Sequence, residues 1–162
     1  MATDNTTQER LMEDRAKAIA TIMLTRRPEL RLTQPPDGRE SGYDFEVEIV
    51  EGNKRSYFFI EVRSVWAPLQ KSEVDIALQP YLAEAQTSRP LPFPSCIFLF
   101  TMKTNQCWFC WVTEPCIKDG RAFFRVSQRA DAQRLDDRLL DQVLTSVTRW
   151  FDVYYANVNM KE

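Results

Sequence analysis

Histidine is absent from all 162 residues, and that absence excludes a large share of protein chemistry. Without imidazole there is no Ser-His-Asp or Cys-His catalytic system, no HExxH zinc hydrolase and no Cys2His2 metal site. A large excess of positive charge is also absent. The 21 Lys and Arg against 23 Asp and Glu leave a net charge of −2, which argues against a basic nucleic-acid coat and leaves room for a local basic groove. No apolar run reaches the length of a membrane span; the longest, around Cys96 to Phe100, has the length of a strand. The polar stretch Met1 to Gln8 has no signal-peptide core. Four cysteines without an export signal point to reduced thiols and a cytoplasmic protein.

What is present is ordinary for a globular chain: 44% hydrophobic and 27% charged residues exclude wholesale disorder. The length suits one domain over residues 1–162, burying about two-thirds of the surface of the unfolded chain. Any catalysis must rest on carboxylates, Lys and Arg, hydroxyls or thiols.

The periodicities give an order of elements. Asn5 to Arg27 reads as a helix with Leu11, Ala18, Ile19, Ile22 and Met23 at helical spacing. Thr6 or Thr7 caps it, Arg26 and Arg27 complement its dipole, and Pro28 stops it. A short strand is expected at Arg31 to Thr33, then a loop from Gln34 to Gly42. Tyr43 to Val50 alternates, with Tyr43, Phe45, Val47 and Ile49 on one face and Asp44, Glu46 and Glu48 on the other. A turn at Glu51 to Lys54 leads into a returning strand, Ser56 to Val65, so the pair forms a hairpin. There Phe58, Ile60 and Val62 face one way, and Tyr57, Phe59, Glu61 and Arg63 the other.

Ser72 to Gln86 reads as a helix divided at Pro80, and Ser88 to Pro94 as a proline-rich connection. Strands follow at Cys96 to Met102, apolar enough to be buried on both faces, at Gln106 to Val112, after a turn at Lys103 to Asn105, and at Arg121 to Val126. A long amphipathic helix, about Asp131 to Tyr155, closes the chain on the stripe Leu135, Leu139, Val143, Val147, Trp150 and Tyr154. The fold class is α/β, a mixed sheet flanked by helices.

The informative segment for chemistry is Gly42 to Ser64. Pairing the two strands brings Asp44, near the start of one, to the same edge as Glu61 and Arg63, near the end of the other. Two carboxylates there can bind one Mg2+, or Mn2+ as substitute, and leave positions for water and phosphate. The cation two residues after Glu61 lies on the same strand face and can stabilise a phosphate.

This arrangement of a leading helix, a G-x-D strand, an E-x-[K/R] strand, then a helix and a strand resembles the PD-(D/E)XK nuclease superfamily. In pattern it is similar to the bacterial uncharacterised-domain family 4365, over roughly residues 9 to 112. The resemblance implies a restriction-endonuclease-like fold and a metal-dependent deoxyribonuclease of bacterial DNA processing or defence. Asp44 and Glu61 would be metal ligands, Arg63 would replace the family lysine, and Glu13 (or Glu9) on the first helix would be the auxiliary acid. Two departures stand out. Tyr43 precedes Asp44 where the motif has proline, and arginine, always charged and planar, cannot act as a general base as lysine can. Some superfamily members have lost catalysis. The alternative is therefore a non-catalytic interaction or scaffold module, working through an aromatic face as a homo-oligomer or with a protein partner.

Other features have blander explanations. The acids Asp44, Glu46 and Glu48 form an ordinary solvated strand face when Glu61 and Arg63 simply cross-pair with them. Cys107-Trp108-Phe109-Cys110 lies in a strand, so its thiols face opposite sides and read as core residues. Gln79 and Tyr81 on the second helix, and Lys71 as a substitute cation, are candidates to face the site. Trp108, Phe109, Trp111, Phe123 and Phe124 can stack bases but suit a core or an oligomer interface better. Arg121, Arg125, Arg129 and Arg134 suit a solvated face.

Overall fold

In a computed structural model, which describes residues 2–36, 42–87 and 92–160, the chain runs α1 (Ala2–Thr25), β1 (Leu30–Thr33), β2 (Phe45–Glu51), β3 (Lys54–Val65), α2 (Lys71–Thr87), β4 (Ser95–Thr101), β5 (Gln106–Lys118), β6 (Arg121–Val126), β7 (Gln133–Arg134) and α3 (Asp137–Asn159). The seven strands form one mixed sheet in the order β1-β2-β3-β4-β5-β6, with β7 also on β5. Every neighbouring pair is antiparallel except β3 and β4. Two parallel neighbours cannot be joined by a tight turn, and α2 supplies the crossover.

Two clusters of buried side chains lie on the two faces of the sheet. On one, α1 and α3 cover Phe45, Val47, Ile49, Phe58, Ile60, Val62, Phe98 and Phe100. On the other, Val74, Leu78 and Leu82 of α2 cover Ile97, Leu99 and Cys110. β4 feeds both clusters from alternate residues, and all seven of its residues are buried, as its unbroken apolar run requires. At the β5–β6 turn, Asp119 (φ 51°) and Gly120 (φ 71°) are both left-handed, the geometry of a two-residue hairpin turn that matches strand twist.

Several expected boundaries move. α1 ends at Thr25, before the two arginines, and begins ahead of Thr6 and Thr7, which lie inside it. Arg27 instead pairs with Asp141 and Glu29, tying the α1–β1 connection to α3. Leu11 and Ile22 are more than half exposed. The stripe that meets the sheet is Ala16, Ala20 and Leu24, flanked by Met12, Ile19 and Met23. Alanines there let the helix backbone approach the strands closely.

Tyr43 lies outside β2, whose ladder begins at Phe45. α2 runs unbroken through Pro80. The carbonyl that loses its partner there belongs to Ile76, and both residues lie on the solvent face, where water can serve it. β5 runs six residues past Val112, through Pro115. Beyond Thr113 it has left β4 and pairs with β6 alone, a setting in which a strand tolerates proline.

The last helix starts at Asp137. The preceding residues form β7 against Trp108 and Phe109, so Leu135 is buried from a strand end. Asp136 caps the helix by accepting from Leu139 N–H at 2.7 Å. Tyr154 is 44% exposed, and Leu140, Leu144 and Phe151 complete the buried face instead. Residues 37–41 of the expected loop and 88–91 of the expected proline-rich connection lie outside the described residues. Among the described residues no helix is long and apolar enough to cross a membrane.

Candidate functional site

The hairpin register aligns Phe45 with Ile60, which sets Asp44 beside Glu61. Asp44 is held by backbone on both sides. Its N–H donates to Ile60 O at 2.8 Å, and its Oδ2 accepts from Val62 N–H at 2.7 Å. The carboxylate thus extends the β2–β3 ladder by one bond and is fixed in direction, with 11% of its side chain exposed.

Asp44, Glu61, Arg63 and Glu13 line one cleft of about 630 Å3, together with Arg10, Asp14, Lys17, Gly42, Tyr43, Tyr81, Glu84 and Ala85. It lies where the segment before β2 meets the C-terminal part of β3, between residues of α1 and α2. Five acidic and three basic side chains line it, an excess of two negative charges.

Each central carboxylate carries a cation. Arg63 pairs with Glu61, and its guanidinium carbon sits 4.5 Å from the centre of the Tyr81 ring, a cation–π distance. Its Nε is buried and has no hydrogen-bond partner among the described residues. Lys17 Nζ lies 3.1 Å from Asp44 Oδ1 and 3.5 Å from Glu13 Oε1. Burial works to lower the Lys17 pKa, and Asp44 and Glu13 together outweigh it. The value stands above the ordinary 10.5 and the ammonium is charged at neutral pH.

Burial pushes the Glu61 carboxyl above its ordinary 4.5, against the downward pull of Arg63, and the charges of Asp44 and Glu84 add to the rise. The folded state therefore holds this proton more tightly than the unfolded state. The resulting stabilisation is full below about pH 4.5 and is lost as pH rises through the folded value. Glu61→Gln removes this dependence and keeps an acceptor for Arg63. The unfolding free energy of the wild type minus that of Glu61→Gln, from urea titrations at several pH values, is expected to fall from pH 4.5 to 7. A rise over that interval would show that Arg63 more than compensates for burial.

Other expected site residues lie elsewhere. Lys71 is held by Asp75 and Asp131, at 3.1 and 2.8 Å. Gln79 does not line the cleft; it accepts from Ala130 N–H and donates to Gln128 O, pinning the segment before β7 onto α2. Glu9 is not among the lining residues either. Phe59 shares the Glu61 side, packed between Tyr43 and Phe93, whereas Tyr57 meets Phe151 of α3. Phe109 and Phe124 pack onto Trp111 and Trp150. Arg125 is paired with Glu114.

Cys107 and Cys110 fall in the two different core clusters, as opposite strand faces require. All four cysteines are free, and burial raises Cys96 and Cys107 well above the ordinary thiol value, which leaves these two protonated and unreactive.

Lys17, on Asp44 in the candidate site, is a residue that the strand motif does not reveal. Its signal is the i, i+4 spacing from Glu13 and the helical spacing of Arg10, Asp14 and Lys17, which marks a charged face of α1. Among the described residues no group of three or more Cys, Asp and Glu side chains is arranged to hold a metal ion. Compared with family models, curated proteins and solved structures, the chain matches none.

Proposed function

We propose that this chain is a restriction-endonuclease-like domain that hydrolyses phosphodiester bonds of DNA with Mg2+, for which Mn2+ substitutes. The observation that carries the reading is the open polar cleft that gathers Asp44, Glu61, Arg63 and Glu13, with an excess of two negative charges. The element order α1-β1-β2-β3-α2-β4, with an antiparallel β1–β3 meander and β4 parallel to β3, is in keeping with the architecture that the motif resemblance implies.

The donor set fits the ion. Carboxylate oxygens suit a hard divalent cation, and Mg2+ needs only one or two of them when water and phosphate oxygens fill the remaining positions. Asp44 and Glu61 would hold it, and bound there it supplies Lewis-acid polarisation of a phosphate oxygen. Arg63, aimed by Glu61 and the Tyr81 ring, meets the negative charge that grows on the phosphate. Lys17 offers the compact ammonium that the strand motif lacks, and Glu13 positions it.

A second reading, a non-catalytic interaction module, draws on the Arg63–Glu61 ion pair, which occupies a carboxylate that the reaction requires. Incubation with single- and double-stranded DNA in Mg2+ or Mn2+ separates the two. The wild type is expected to cleave at least one of these substrates, and Glu61→Gln to slow cleavage by about 100-fold or more. No cleavage by the wild type with either metal would overturn the nuclease reading in favour of the module.

A further inference from the structure

We propose that Lys17 and Arg63 are internal counter-cations that make divalent-metal binding and phosphate binding at this cleft depend on each other. The inference rests on the metal reading of Asp44 and Glu61. Each of these carboxylates already holds a cation, Lys17 at 3.1 Å from Asp44 Oδ1 and Arg63 on Glu61. The other oxygen of Asp44 accepts from Val62 N–H, so a metal ion approaching this carboxylate competes with Lys17 for Oδ1. A divalent cation arriving alone displaces Lys17 from Asp44 and shares Glu61 with Arg63 in a partly desolvated cleft.

The displaced cations cannot leave. Lys17 lies well inside α1, with Glu13 one turn away at 3.5 Å. Arg63 is kept over the Tyr81 ring, and its buried Nε has no acceptor among the described residues. A cleft with metal on its carboxylates therefore leaves Lys17 with Glu13 alone and weakens the hold of Glu61 on Arg63, so that both cations can take up a phosphate oxygen. Metal alone weakens the pairing of both cations and phosphate alone meets an excess of negative charge, whereas the two together give each displaced charge a new partner. By linkage, each ligand then raises the affinity of the other by the same factor.

The test is a Mn2+ titration of the full chain, reading free Mn2+ by electron paramagnetic resonance, with and without thymidine 5′-monophosphate. A protein-free titration corrects for Mn2+ taken up by the nucleotide. In the wild type the nucleotide is expected to tighten Mn2+ binding by about tenfold or more, within the usual range of such couplings. Lys17→Gln is expected to bind Mn2+ more tightly than the wild type without nucleotide and to lose most of the enhancement. Arg63→Gln serves as a second variant with the same expected readout should Lys17→Gln fail to fold. Unchanged Mn2+ affinity and unchanged enhancement in the variants would overturn this inference and leave the metal reading standing. No Mn2+ binding by the wild type or either variant, with or without nucleotide, would overturn both.

Discussion

Asp44→Asn is expected to leave the fold intact and to slow metal-dependent cleavage by about 1,000-fold. Asparagine keeps an oxygen for Val62 N–H, so the bond that extends the β2–β3 ladder survives. It removes the negative charge that faces Lys17 and would face a divalent cation. Lewis-acid stabilisation of a phosphoryl centre is worth several kcal/mol. At about 1.4 kcal/mol per tenfold in rate, losing most of it gives three orders of magnitude.

Asp44→Ala is the less informative change. It also deprives a partly buried N–H of its charged acceptor, at about 1.5–3 kcal/mol of stability, so lost folding and lost chemistry become mixed. Cleavage rates and urea midpoints for wild type, Asp44→Asn and Asp44→Ala separate the two effects. Cleavage by Asp44→Asn within tenfold of the wild type would remove Asp44 from the proposed metal site.

The largest effect on stability is expected from Trp150→Ala, at about 3–5 kcal/mol. The indole ring is stacked between Phe124 at 4.4 Å and Tyr154 at 5.1 Å, and Phe151 meets its edge at 5.0 Å. Its Nε1–H donates to Phe123 O at 3.0 Å. One side chain thus helps to fasten α3 to the edge strand β6, which among the described residues pairs with β5 alone in the sheet. Truncation opens a cavity and removes the donor to a strand carbonyl. Trp150→Phe keeps most of the ring surface and loses the hydrogen bond, so it is expected to cost only about 1–2 kcal/mol beyond the small change in volume. Equilibrium denaturation of the three proteins tests this order. A loss below about 1.5 kcal/mol for Trp150→Ala would show that the stack is dispensable, against a total stability of about 5–15 kcal/mol for a chain of this kind. The cleft is lined by α1, the segment before β2, β3 and α2 and by none of these rings, so cleavage by the folded fraction is expected to remain.

The legible parts of the fold are those fixed by short-range pattern. The period-two alternation from Phe45 to Ile49 and from Phe58 to Val62 identified the strand faces, and the hairpin between them brought Asp44, Glu61 and Arg63 together. The unbroken apolar run at β4 marked a strand buried on both sides.

Illegible features depend on partners far along the chain. Gln133 and Arg134 sit in a segment whose apolar spacing suits a helix, and only pairing with Phe109 and Trp108 makes them a strand. Pro80 suggests a break, but its orphaned carbonyl faces water and the helix continues. The apolar residues of α1 permit more than one rotation about its axis. Close packing of Ala16 and Ala20 selected one of them, leaving Leu11 and Ile22 in solvent.

The missing histidine and the strand alternation by themselves determined that any chemistry at this site would rest on oxygen donors and cations, with Asp44, Glu61 and Arg63 on one edge. These are matters of composition and of neighbours two residues apart on a strand or joined by a short turn. Tertiary structure alone decided that Lys17 stands on Asp44, that Arg63 is held by Glu61 and Tyr81, and that Lys71 and Gln79 serve a different corner of the molecule. The rotation of a helix over a sheet is set by packing summed over many distant contacts, and no local pattern encodes that sum.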